Sequence, residues 1–151
     1  MVISLSATDI PAIAAALLLG LSAGLFFAFS VAVMPGLRRT DDAAFVATMT
    51  AINRAILNFP FGLVFVGALI APVVAAVLAF ITGASSPWLL IAAAAVYLVG
   101  VLFVTGGVNV PLNEALDRDG KRRAFEDRWV RFNNVRTVSG TVAFALALVA
   151  L

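Results

Sequence analysis

The chain has 151 residues, of which 63% are hydrophobic and only 12% charged, with a mean hydropathy of +1.10. That balance excludes an ordinary soluble domain, and the formal charge of +2 comes from arginines beside apolar segments, so it reports on membrane topology and gives no nucleic-acid surface. With no cysteine and no histidine, the sequence holds no disulfide, thiolate metal site or histidine base; no metal and no cofactor is expected, and any chemistry falls to carboxylates, amides, hydroxyls, arginines and the single tyrosine.

In chain order, the first apolar segment runs from about Ile10 to Met34. Thr8 or Asp9 can cap it, Pro11 suits its first turn, and Pro35-Gly36 is expected to end it. No lysine or arginine precedes the apolar run, which is the pattern of a retained crossing and not of a cleaved secretory signal. Ala12, Ala16, Gly20, Gly24, Ala28 and Ala32 recur every four residues as a seam of small side chains on which a second helix can pack closely, with Phe26, Phe27 and Phe29 beside it. Arg38 to Asp42 then leads into an amphipathic helix ending near Ile56, with Thr40 as its expected N-cap and Phe45, Met49, Ile52 and Ile56 along one stripe.

A second crossing is predicted from Phe59 to Thr82, kinked at Pro72, with Gly67, Ala71, Ala75 and Ala79 as the seam that meets the first. A short uncharged connection over 83–87 makes the second and third crossings antiparallel neighbours, and Trp88 falls where interfacial aromatics are favoured. The third crossing, Pro87 to Val108, carries Tyr97 and Thr105 and meets the charged region at Asn109. If the helix ran on, Thr105, Asn109 and Asn113 would form a polar stripe; Pro111 argues instead that Asn109 caps a new short helix. A turn at Asp117 to Gly120 is followed by a second amphipathic helix, Lys121 to Asn134, with Phe125, Trp129 and Phe132 at i, i+4, i+7. The fourth crossing is expected over residues 135–151.

The reading is therefore an all-α, single-domain membrane four-helix bundle with two short amphipathic helices on the cytoplasmic side. An internal two-fold repeat is signalled by Phe45, Met49, Ile52 and Asn53, which match Phe125, Trp129, Phe132 and Asn133 at a constant offset of 80, while Pro35 and Pro111 are 76 apart. Three lysines and arginines lie between crossings one and two, seven between three and four, and none on the other side. The positive-inside rule then places the charged loops in the cytoplasm of a cell (inner) membrane and both termini outside. The partners expected are the lipid bilayer and a lipophilic aromatic small molecule, with a homo-oligomer left open.

Polar residues gather at the cytoplasmic helix ends: Asn53, Arg54, Asn58, Thr105, Asn109, Asn113, Glu114, Asn133, Asn134 and Arg136. Held near hydrocarbon, such groups must find partners or serve a ligand. The bland alternative has the asparagines bonding between helices, Arg54 and Arg136 snorkelling to lipid phosphate, and Glu114 in a salt bridge with one of them. As a chemical site, Glu114 would be the base, Asn109, Asn113 and Arg136 would donate to an oxyanion, and Tyr97, Thr105, Trp129, Phe132, Asn53 and Asn133 would form the substrate pocket.

Gly24 to Phe27 running to Met34-Pro35-Gly36, then Ile52-Asn53-Arg54, the run Asn109 to Asn113, and Trp129 with Asn134, Val135 and Arg136 stand in an order that resembles the anthrone oxygenase-like family of small membrane proteins. The resemblance spans nearly the whole chain. It implies oxidation of an anthrone to an anthraquinone, as in fungal polyketide pathways, without metal or flavin. The competing expectation is a non-catalytic scaffold or lipophile-binding protein. Proton-coupled transport is disfavoured, because the crossings lack a carboxylate at mid-depth.

Overall fold

In a computed structural model, residues 9–83 and 87–151 are described, and all the regular structure among them is helical. Helix α1 spans Asp9–Leu37 and α2 spans Asp42–Ala55. Helix α3 spans Phe59–Thr82, α4 Pro87–Asp119 and α5 Arg122–Val149. The proposed Thr8 cap and most of the 83–87 connection lie outside the described residues. α1, α3 and α4 are each long and apolar enough to cross a membrane. α5 has a charged first half and an apolar second half.

Helix α1 packs against α3 and α5, and α4 packs against the same two, so the four long helices contact one another in a closed order. Two apolar cores result. One is built from small residues and fillers of all four helices, including Ala16, Leu19, Ala68, Ala75, Tyr97, Val101 and Ala143. The other gathers Phe29, Met34, Phe45, Met49, Leu116, Phe125 and Trp129 at the charged end, where α2 lies against the ends of α4 and α5. Large apolar side chains such as Leu17, Phe27, Leu63, Ile70, Val99 and Val138 remain exposed on the outer faces of the long helices.

Small residues set the close approaches, though not along the full seams. Ala12 and Ala16 are buried, but Gly24, Ala28 and Ala32 turn outward, because a row of every fourth residue drifts by about 40° per step around a helix of about 3.6 residues per turn. A Cβ on Gly67 would meet Leu18 of α1 at 3.0 Å, so α1 and α3 do pack through the expected region. The tightest crossing is one the small-residue pattern did not single out: a Cβ on Gly100 would overlap Ser139 of α5.

Two prolines expected to end helices do not. Pro35 lies within α1 and Pro111 within α4, and each follows a π-helical turn, Phe29–Val33 and Thr105–Asn109 respectively. In these turns the Met34 N–H bonds to the Phe29 carbonyl and the Val110 N–H to the Thr105 carbonyl, one residue further back than in an α-helix. The wider turn relieves the clash and the lost donor that a proline imposes on an α-helix. Asn109 is accordingly helical, and its side chain caps nothing. A further π-helical stretch, Leu98–Phe103, precedes these in α4. Pro72 is accommodated inside α3 without a break.

The second amphipathic helix is not separate. α5 runs through Asn133 and Asn134 without a junction, so among the described residues α2 is the one short amphipathic helix. Its N-cap is Asp41, which accepts from the Ala44 N–H at 2.8 Å; Thr40 instead donates to the Leu37 carbonyl. Asn58 caps α3 by accepting from the Phe61 N–H at 2.9 Å.

Candidate functional site

The site sits between the two cores, at the level of the π-helical turns. A pocket of about 240 Å³ is framed by Phe26 and Phe29 of α1, the α2–α3 elbow from Thr50 to Phe61, Thr105, Asn113 and Glu114 of α4, and Trp129 and Arg136 of α5. That volume lies just below the roughly 300–1,000 Å³ of pockets for drug-sized ligands, so it fits a small, mostly apolar molecule. Phe29 and Thr105 open the two π-helical turns, and both reach the pocket. The widened turns thus bring wall residues of α1 and α4 to one place, a use π-turns often serve.

Arg136 is the centre of the polar network. It is 6% exposed, with its guanidinium 4.5 Å from the Phe26 ring centre and 5.2 Å from that of Trp129. Nη2 donates to Asn133 Oδ1 at 2.9 Å and Nη1 to Thr105 Oγ1 at 3.2 Å, while Nε has no partner. No carboxylate lies within ion-pairing distance of it among the described residues. Snorkelling to phosphate is therefore not what Arg136 does. Burying an ion costs several kcal/mol. Two ring contacts return about 0.5–2 kcal/mol each, and a buried donor left unbonded costs a further ~1–3 kcal/mol. The arrangement leaves a positive charge without a counter-charge on the wall of a cavity.

The surrounding side chains hold that guanidinium in place. Asn133, fully buried, orients its carbonyl towards Arg136 by donating through Nδ2 to the Phe26 carbonyl at 3.0 Å and to Ser30 Oγ at 2.8 Å. Asn113 Oδ1 accepts from the Trp129 indole N–H at 2.8 Å, which fixes the indole; the Asn113 amide N–H₂ donates to no group among the described residues. Asn109 donates over 3.4 Å to the Trp129 carbonyl, and its own Oδ1 is buried without a partner. Thr105, Asn109 and Asn113 thus do form the stripe expected of an unbroken helix, and all three face α5.

Of the ten residues the sequence proposed, Asn53, Thr105, Asn113, Glu114, Trp129 and Arg136 line the pocket. Asn133 and Asn109 stand behind it, and Phe132 is not among its walls. Tyr97 lies elsewhere: its hydroxyl bonds with Ser22 Oγ at 2.9 Å and donates to the Phe65 carbonyl at 3.1 Å, tying three helices together. Its ring meets Phe65 edge-on within the apolar core. Glu114 makes no salt bridge with Arg54 or Arg136, because Asp117, one turn on, takes Arg54 at 2.7 Å. The Glu114 carboxylate is exposed on the pocket wall and has no ion-pair partner among the described residues. Phe26 and Phe29 are walls the sequence reading treated as seam fillers; their i, i+3 spacing on the face towards the Trp129 helix was the available signal.

No group of three or more carboxylates gathers as a metal-ligand set among the described residues. In comparisons with known proteins, a family model described as anthrone oxygenase matches residues 58–146. That is more than half the chain and covers α3, α4 and most of α5; α1 and the Ile52-Asn53-Arg54 piece fall outside it, so the match is narrower than the resemblance read from the sequence. No curated protein and no solved structure gives a match.

Proposed function

The chain belongs to the anthrone oxygenase family, and from that premise we propose that it is an integral membrane oxygenase for a lipophilic aromatic ketone of the anthrone type. The observation that supports this best is the pairing, in one pocket, of an unpartnered carboxylate on Glu114 with the uncompensated guanidinium of Arg136 between aromatic rings. In this reading the four long helices cross the bilayer as a four-helix bundle. The charged ends face the cytoplasm and both termini lie outside, as the distribution of arginines favours.

The substrate carries an acidic CH₂ between aryl rings, opposite a carbonyl. Glu114 takes one of its protons, and the electron pair left on carbon delocalises onto the carbonyl oxygen. Asn113 and Arg136 donate to that oxygen as its charge develops; donors fixed in advance in a dry site are worth most at this step. The electron-rich enolate passes one electron to O₂, and the resulting carbon radical and superoxide join to form a C–O bond. The O–O bond then breaks as the second C–H proton leaves. In balance, the CH₂ group and O₂ become a ketone and water: the carbon loses four electrons, and one oxygen atom stays in the product.

The two halves are further read as a repeat. In support, the π-turns and their prolines recur with the offset of 76, and the matched residues Phe45 and Phe125 meet edge-on at 6.1 Å.

The test is product formation under ¹⁸O₂ by the purified protein in detergent with anthrone. Anthraquinone carrying one labelled oxygen, formed at least tenfold faster than in the protein-free control, is the expected result. A rate equal to the control would discard the oxygenase and favour the lipophile-binding reading of the same pocket.

A further inference from the structure

Among the described residues, the arginines paired with a carboxylate are Arg38, Arg54, Arg118 and Arg122; all lie at the charged end, and the first three are largely solvent-exposed there. Arg136 is the reverse: more than nine-tenths buried, beside a cavity, with Thr105 and Asn133 as its hydrogen-bond partners among the described residues. Of the five N–H groups of a guanidinium, these two bonds use two, and Nε is buried and unbonded. A second unsatisfied donor belongs to the same pocket: Asn53 Nδ2, from the α2–α3 elbow, is buried with no partner. Asn113 adds an amide N–H₂ whose oxygen is already committed to Trp129. These donors face walls of Phe26, Phe29, Trp129, Leu25 and Ile56; of the other charged groups lining the pocket, Arg54 is paired with Asp117 at 2.7 Å and the Glu114 carboxylate is exposed on the α4 side, so Arg136 is the buried charge.

We infer that this pocket is an anion site: its ligand is a flat aromatic molecule that carries, apart from the CH₂ deprotonated by Glu114, an already ionised oxygen, a phenolate or carboxylate, whose charge neutralises Arg136. The inference rests on the pocket being the substrate site proposed above, and it deepens that reading by fixing the ligand's charge state on arrival. The rings select a planar body, and the donors select an oxyanion over a neutral oxygen. A neutral ligand such as anthrone supplies that counter-charge only once Glu114 has deprotonated it, so it binds more weakly than an ionised one.

Benzoate and benzyl alcohol share a ring and differ in charge, which makes them suitable probes. Binding is followed by quenching of Trp129 fluorescence in a Trp88→Phe protein, the other tryptophan being removed, in detergent and without anthrone. Benzoate should bind at least tenfold more tightly than benzyl alcohol. The preference should vanish in Arg136→Gln and also in Asn53→Asp, a near-isosteric change that places a negative charge in the pocket and needs no cavity to form. Equal binding of the two probes by the Trp88→Phe protein would overturn the inference, as would benzoate binding unaltered in Asn53→Asp. Inorganic phosphate binding as tightly as benzoate would overturn its aromatic part, pointing to headgroup recognition instead. None of these readouts involves O₂. Failed anthrone oxidation with a retained benzoate preference would remove the oxygenase and keep the anion site, and the opposite result would remove only the anion site.

Discussion

At the scale of single residues, the charged end is held by an arginine pair sharing one carboxylate. Glu126 accepts from Arg38 Nε and Arg122 Nε, each at 2.7 Å, and Arg122 reaches on to Asp42 and to the carbonyls of Thr40 and Arg38. Arg122 also lies 4.4 Å over the Phe45 ring, so one side chain ties the α1–α2 connection and α2 to α5. Partial burial pushes the Glu126 carboxyl up, but the hydrogen bonds and charges of Arg122 and Arg38 outweigh it and hold the carboxyl below the usual glutamate range. A carboxyl depressed on folding contributes its stability above its unfolded value and loses it as the pH falls through the folded one. The protection of the α2 amides, their exchange measured against the intrinsic rate at the same pH, is therefore expected to fall as the pH drops below the ordinary glutamate range. In Glu126→Gln that acid-induced step should be absent; an unchanged step would show that Glu126 does not hold α2. Much of this scale was legible in the sequence. Spacing offered the 105, 109, 113 stripe although Pro111 argued for a cap at Asn109 instead, whereas the burial of Arg136 had no signal, since an arginine at a helix end can equally extend to lipid phosphate. Only the tertiary placement of Phe26, Trp129 and Asn133 decides between the two.

At the scale of elements, apolar runs were enough to place α3 from Phe59 to Thr82 as expected. Local punctuation was less dependable. Pro35 and Pro111 look like helix stops because an α-helix cannot hold them without cost, but a π-turn just before each removes that cost, and sequence rules for α-helices do not anticipate it. Asn133 and Asn134 look like a junction because asparagine side chains compete with helical hydrogen bonds. In α5 they are drawn off by α1: Asn133 bonds to the Phe26 carbonyl and Ser30, and Asn134 accepts from Ser30. The α4–α5 crossing makes a direct prediction. Gly100→Ala would drive a methyl group into Ser139, and overpacking of this kind costs about 1–3 kcal/mol. Its thermal midpoint in detergent should fall, and adding Ser139→Gly should restore much of the loss. Gly106→Ala, where a Cβ meets nothing within 4 Å, is the control expected to hold or raise the midpoint. A Gly100→Ala protein as stable as the parent would contradict the close crossing.

At the scale of the whole molecule, a closed order of four helices leaves polar groups at one end and apolar surface around the sides. Hydropathy and the arginine distribution made that plan readable, while the pocket needed the helices in register. The chain contains no cysteine, so single-cysteine variants test topology cleanly. Asp119→Cys should react with an impermeant thiol reagent only from the cytoplasmic side, and Leu151→Cys only from the opposite side; the reverse pattern would invert the proposed orientation. The central claim, that this pocket oxidises an anthrone with Glu114 as base, is tested most directly by dissolved-oxygen consumption with anthrone in the parent protein and in Glu114→Gln. Glu114 is exposed and unbonded, so its replacement should leave the fold intact while slowing uptake by about 10²–10⁴-fold, the usual contribution of a general base, or to the spontaneous background. Oxygen consumption as fast in Glu114→Gln as in the parent would contradict the account.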